Sequence, residues 1–189
     1  MKVQYSCLIK QIFNIGEYKI VPIRQEDKLD IMKWRNEQLY HLRQLKPLTK
    51  DEQDRYFSTV ISKLFDQERP TQILFSYLKN DVCIGYGGLV HINWHDDIAE
   101  LSFIIDTVLE NEEFALHWTN FLTLIQEVAF QYLHFHKIFT YAFNLRPHLY
   151  EILERNQFVQ EAILKEHAKV ENKYIDIFIH SKINGIDRI

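Results

Sequence analysis

Cysteine, glycine and basic charge are all scarce in this 189-residue chain, and each shortage removes a class of function. The two cysteines, Cys7 and Cys83, lie far apart and in no CxxC or zinc-ligand spacing. That excludes a disulfide-stapled scaffold and suits a reducing cytoplasm. A formal net charge of −4 without a basic cluster leaves no electrostatic footprint for nucleic acid. Long apolar runs are missing too: Phe114 to Leu133 is interrupted by His117, Asn120, Gln126, Glu127 and Gln131, so it reads as a buried amphipathic helix and not a membrane span. Lys10 and Gln11 interrupt Cys7 to Phe13, which argues against a secretory leader. Of five glycines, Gly85, Gly87 and Gly88 crowd one strand-like run with no helix directly after it, which excludes a P-loop and points to close backbone approach or a bulge. His91 with His95, and His134 with His136, occur without an HExxH pattern or a Cys/His cluster, so no metal site is expected.

What remains is an aromatic globular chain. Hydrophobic residues make up 47% and charged residues 25%, with 13 Phe and 10 Tyr, which fits one domain over 1–189 with a sizeable core. Val3 to Phe13 and Tyr18 to Arg24 read as strands around an Asn14–Glu17 turn, so residues 1–17 are an N-terminal extension or an extra strand. A helix runs from Lys28 to Leu39. Thr49 and Glu52 form a capping box opening a second helix, whose stripe is Tyr56, Phe57, Val60, Ile61, Leu64 and Phe65. Gln72 to Lys79, Val82 to Trp94 and Glu100 to Asp106 form a meander, followed by the long helix Phe114 to Leu133. Lys137 to Phe143 is a strand, Pro147 opens a helix that stops at Asn156, and Val159 to Val170 with Tyr174 to Ile183 form a hairpin. The fold class is α+β: one mixed, mostly antiparallel sheet of about seven strands flanked by about four helices.

Four stretches in this order carry a resemblance. IVPIRQEDKLDIMKWRN (20–36), VCIGYGGL (82–89), AELSFIID (99–106) and FNLRPHLYEILERNQF (143–158) with KEHAKVENKYIDIFIHSKI (165–183) resemble the GNAT superfamily of acyltransferases, in the branch that includes ribosomal-protein and amino-sugar N-acetyltransferases. The resemblance implies a single GNAT-like domain, monomeric or homodimeric. It would transfer an acetyl group from acetyl-CoA to a primary amine of a small molecule or amino sugar by direct attack, with no metal. By the same resemblance Glu100 is the general base and Tyr150 the acid. The backbone of Phe103, Ile104 and Ile105 would hold the pantetheine arm and polarise the thioester, and Asn144 would hold the arm or a water. Trp34, Arg35, His91 and Trp94 would line the acceptor side. Each also has an ordinary structural reading: a paired strand-end acid, a core tyrosine, a turn cap, a solvated cation.

One departure bears on the cofactor. Relatives bind the pyrophosphate with a turn of the form R/Q-x-x-G-x-G/A at the start of the long helix, whereas this chain has TVLENEEFALHW at 107–118. Asn111 and Phe114 are the cofactor-side residues carried over to this stretch. With no glycine, and with Glu110, Glu112 and Glu113 at the helix start, the stretch suits a self-capped helix and would repel phosphate. The competing class is therefore a catalytically silent GNAT-like module, binding a ligand or partner with a degenerate CoA site.

Overall fold

Helices cover both faces of the sheet, so its central strands are buried almost continuously while others alternate residue by residue. The computed structural model describes residues 3–185. Its strands are β1 (Phe13–Ile15), β2 (Tyr18–Pro22), β3 (Ile73–Lys79), β4 (Val82–Asn93), β5 (Ile98–Ile105), β6 (Lys137–Phe143), β7 (Val159–Val170) and β8 (Lys173–Ile183). They form one eight-stranded sheet in the order β1-β2-β3-β4-β5-β6-β8-β7. Every neighbouring pair is antiparallel except β5 and β6.

The helices divide between the two faces. α1 (Lys28–Glu37) and the rod made of α2 (Lys50–Tyr56), a π-turn (Phe57–Ile61) and α3 (Ser62–Leu64) are joined to the sheet through Ile31, Phe57 and Leu74. On the opposite face lies α5 (Phe114–Gln126), which continues as a π-turn (Glu127–Tyr132). There Phe103 of β5 stacks on Phe121 with ring centroids 3.9 Å apart, and Tyr77 of β3 meets Phe121 edge-on. Fully burying each such phenylalanine stabilises the fold by about 3 kcal/mol. His117 is enclosed in this layer, between the Tyr77 hydroxyl at 3.2 Å and Glu113 at 3.1 Å. α4 (Thr107–Glu112) and α6 (Pro147–Arg155) follow β5 and β6 respectively.

The clustered glycines serve close approach. A Cβ on Gly87 would lie 2.3 Å from the Ser102 carbonyl oxygen, and one on Gly88 would lie 2.0 Å from that of Ile73. Bulges are present as well: the register of β4 shifts against β3 between Cys83 and Gly85, beside the glycines, and against β5 between Val90 and Asn93, with His91 at φ +48. A non-glycine residue held at positive φ is a local strain of the kind found at functional sites.

The parallel pair is brief. β5 and β6 are in register only at Ile98↔Lys137, Ala99↔Ile138 and Glu100↔Phe139. Beyond Glu100 the strands separate, β5 remaining paired with β4 through Ile105 and β6 with β8 through Phe143.

Three expectations need correction. Val3 to Phe13 is not a strand: β1 is only Phe13–Ile15, and the preceding residues form an irregular segment anchored by buried Tyr5 and Leu8. Gln11 explains it, since its amide donates to the Tyr5 and Leu8 carbonyls and accepts from the Tyr5 N–H at 2.8 Å, competing with a ladder. The long helix is not regular to Leu133, because its last turns are π. Nor does the acidic stretch open that helix, since α4 intervenes. The Asp106 carboxylate caps α4 by accepting from the Val108 N–H at 2.8 Å, and the chain bends at Glu113 before α5 starts. The capping box of α2 is present with both reciprocal bonds.

Candidate active site

Where β5 parts from β6 the sheet opens into a cleft of about 330 Å³. Because the gap runs through the sheet, its walls come from both faces: Phe103, Trp118 and Leu149 on the α5 side, Glu100, Ser102 and Tyr141 on the other. No helix of the described residues is long and apolar enough to cross a membrane. Nor do three His, Cys, Asp or Glu side chains converge as a metal site among the described residues.

Glu100 sits at the apex of the gap, 6% exposed. Both of its oxygens are used. Oε1 accepts from Arg43, whose guanidinium lies 4.7 Å from the Tyr141 ring centroid, and Oε2 accepts from His91 Nδ1 at 2.8 Å. A carboxylate only accepts, so His91 donates from Nδ1 and its Nε2 is left for other partners. The His91 side chain is 64% exposed. The positive φ of the β4 bulge delivers the imidazole to Glu100, nine residues away along the chain.

A second cavity of about 270 Å³ lies between α1, α2 and the sheet, and it shares Arg35, Gln72, Val90 and Ser102 with the cleft. Its walls are otherwise mainly apolar, among them Ile23, Ile31, Phe57 and Leu74. Arg35 donates to Gln44 Oε1 at 2.8 Å and to the Tyr86 hydroxyl, which raises its pKa. Among the described residues no carboxylate forms an ion pair with it, which leaves a half-buried cation at the junction of two cavities. Asn36 fixes the loop above by accepting from the Leu48 N–H at 2.7 Å and donating to the Leu48 carbonyl at 2.9 Å.

The opposite end of the cleft is cationic and aromatic. Arg146, at the start of α6, pairs with Glu110 of α4 at 2.8 Å, and its guanidinium lies 5.6 Å from the Trp118 ring centroid and 5.8 Å from that of Phe114. Trp118 Nε1 is buried without a hydrogen-bond partner among the described residues, as is Glu110 Oε2. His41, nearby, is pushed down to about 3 by burial and by the Arg146 charge, so it is neutral. An unpaired strand edge and an unpartnered indole N–H suit an extended chain rich in amides, which is the chemistry of pantetheine.

The expected site residues separate into groups. Glu100, His91, Arg35 and Phe103 line the cleft. Trp34 does not: it is 3% exposed, and its indole N–H is bound to Asp106 at 2.9 Å. Trp94 donates to the Pro70 carbonyl at 2.8 Å and packs on Phe135, outside both cavities. Tyr150 stacks over Phe178 and His180, with its hydroxyl 3.4 Å from both the Phe143 carbonyl and Asn144 Oδ1, and burial raises its pKa. Neither Tyr150 nor Asn144 is part of the cleft lining. Ile104 and Ile105 are core residues, and the Ile105 carbonyl already accepts from Gln38 at 2.7 Å. Asn111 turns back to the Thr107 carbonyl, while Phe114 lies against Arg146 and the His148 ring. Sequence reasoning did not single out Trp118, Tyr141 or Arg146 for the site. Trp118 belongs to the apolar stripe of its helix, and nothing local distinguishes it from core.

The profile of the acetyltransferase (GNAT) domain matches residues 20–179. In shape the chain is similar to the spermidine N-acetyltransferase from Vibrio cholerae in complex with CoA and spermine: TM-score 0.76 at 19% identity, over 89% of this chain and 96% of that one. The dodecameric structure of spermidine N-acetyltransferase from Vibrio cholerae in an intermediate state gives a TM-score of 0.71 at 20% identity, over 89% and 94%. At these identities the likeness is one of fold. No curated protein matches by sequence.

Proposed function

The chain belongs to the GNAT acetyltransferase family, and on that premise we propose that it acetylates a primary amine with acetyl-CoA, His91 and Glu100 acting together as the proton-accepting pair. The observation that carries the reading is the separation of β5 from β6 with this pair at its apex. Acetyl-CoA supplies the acetyl group as an activated thioester. An ammonium acceptor gives one proton to His91 Nε2, and the imidazolium so formed is stabilised by Glu100. The freed amine then attacks the carbonyl carbon: a C–N bond forms, the C–S bond breaks, and the second proton that the nitrogen must lose passes through water in the open cleft to the departing thiolate. Tyr150, turned toward Phe143 and Asn144, contributes packing to this scheme and no proton.

The acceptor enters from the second cavity. Its apolar walls suit a compact body, and Arg35, a cation without a carboxylate, suits an anionic group on it. An amino sugar linked to phosphate meets both conditions. A polyamine meets neither, because the carboxylates nearby are engaged: Glu52 caps α2 and holds Lys46, and Glu100 holds Arg43 and His91.

Release of CoA thiol, followed with a chromogenic disulfide over a panel of amino sugars, amino acids and spermidine, tests the assignment. Glu100→Gln and His91→Ala are each expected to lower kcat by about 10²-fold or more. The double variant should be no slower than the worse single, as for groups that act as a unit. Unchanged kcat in both single variants removes the pair from the chemistry, and absence of CoA binding returns the domain to a silent binding module.

A further inference from the structure

We propose that Arg146 receives the pyrophosphate of acetyl-CoA in this chain, and that Glu110 is an internal anion that it releases when the cofactor enters. The proposal rests on the acetyl-CoA reading above and concerns how the phosphates are held. Residues 107–118, where relatives place a glycine-rich turn, offer no comparable backbone cradle: the first turn of α4 is capped by Asp106, and no residue in the stretch is glycine. The Arg146 side chain, at the start of α6, stands against this stretch and is already bound to one of its residues, Glu110.

Several features distinguish the Glu110–Arg146 pair from a structural salt bridge. Both side chains are almost out of solvent, 6% and 11% exposed, yet the pair makes only one bond, Nη1 to Oε1, where a two-pronged arrangement is open to an arginine. Glu110 Oε2 is buried with no partner among the described residues, an expensive state for a carboxylate. Trp118, 3% exposed in the cleft wall, likewise has its Nε1 buried with no partner among the described residues. An unpartnered donor and a half-satisfied cation thus belong to two residues that line one cleft, and phosphate oxygens would satisfy both.

The arginine is held independently of Glu110. Its guanidinium lies over the rings of Trp118 and Phe114, so it stays in the cleft wall when the carboxylate turns away. The charge of Glu110 acts on its surroundings as well, for it adds to the burial that raises the Tyr40 pKa. His41 opposite is neutral and does not compete for an anion. A pyrophosphate with more charge than one carboxylate therefore displaces Glu110, and α4, a six-residue helix ending at the Glu113 bend, carries the released side chain outward.

Calorimetric titration of the full chain with CoA and with S-acetyl-pantetheine, which has no phosphates, tests this. Arg146→Gln is expected to weaken CoA binding roughly tenfold or more while leaving S-acetyl-pantetheine within about twofold. Glu110→Gln is expected to tighten CoA binding, because the internal competitor has lost its charge, again without effect on S-acetyl-pantetheine. Arg146→Gln alone leaves a buried carboxylate unpaired, so the double variant Glu110→Gln with Arg146→Gln serves as the control for folding; it should melt like wild type and still bind CoA weakly. CoA affinity unchanged in the double variant, or weakened by Glu110→Gln alone, overturns the proposal. Wild type that binds CoA with indifferent variants refutes only this assignment, whereas wild type that binds neither ligand refutes the acetyl-CoA reading itself.

Discussion

Acid should loosen this fold well above the range where carboxylates titrate, and His41 allows the effect to be measured in isolation. In the native state burial first, and the Arg146 charge second, push His41 down to about 3 from an ordinary 6.5. In the unfolded chain that penalty is gone, so between those two values the unfolded state binds the extra proton and the native state does not. Stability is therefore intact above about pH 6.5 and declines as pH falls toward 3. At pH 5 the gap from 6.5 is 1.5 units, worth about 2 kcal/mol from this residue alone. His117 and His180 are also depressed by burial and add to the decline with the same sign. The lowered carboxylates, Glu161 and Asp176 among them, act only below about pH 4.5 and stay out of the window. The perturbation is His41→Gln, whose amide can still donate to Gln38 Oε1, the partner of His41 Nε2 at 3.1 Å, but cannot titrate. Urea unfolding at pH 7 and pH 5 and constant ionic strength, followed by tryptophan fluorescence, gives four free energies. Wild type should lose about 2 kcal/mol more than the variant between the two pH values. Equal losses would refute the reasoning, since they would mean that His41 carries a proton as readily folded as unfolded.

Two further predictions concern the frame of the site. Gly88→Ala places a Cβ 2.0 Å from the Ile73 carbonyl oxygen, a backbone atom of β3 that cannot move aside, and should cost about 3 kcal/mol in denaturant unfolding. Gly185→Ala, which meets nothing within 4 Å, is the matched control, and equal stability of the two variants contradicts the close approach of β3 and β4. Thr49→Ala removes the N-cap of α2 and should cost about 1 kcal/mol, visible as a Tm lower by roughly 2–4 °C. An unchanged Tm would show that the capping box contributes nothing to the domain.

Local chemistry was readable in the residues, and long-range partnership was not. Thr49 and Glu52 announce their capping box because both partners lie within one turn, and the β7–β8 hairpin shows itself through alternation around Glu171 to Lys173. Trp34 is legible too: it lies three residues after Ile31 and four before Gln38, on the stripe that is buried, while its neighbour Arg35 lines the cavities. The Val3 to Phe13 strand failed because one glutamine side chain folds the segment onto itself, a competition that hydrophobic patterning does not record. Glu100 could be placed on its strand by resemblance, but its link to Arg43 is 57 residues long and the Glu110–Arg146 pair spans 36. Such pairs are set by topology and leave no trace in spacing. The same holds for the gap between β5 and β6, which depends on how a crossover helix returns the chain.

That gap has a consequence for solubility. Leu101 to Ile105 is a strand edge without a neighbouring strand, the kind of surface on which proteins aggregate when it faces outward. Here it faces inward, between two halves of one sheet, with the aromatic wall of α5 on one side and the loop carrying Arg43 on the other. The molecule thus keeps an unfinished ladder inside its own sheet, where its free backbone groups are turned away from the outer surface.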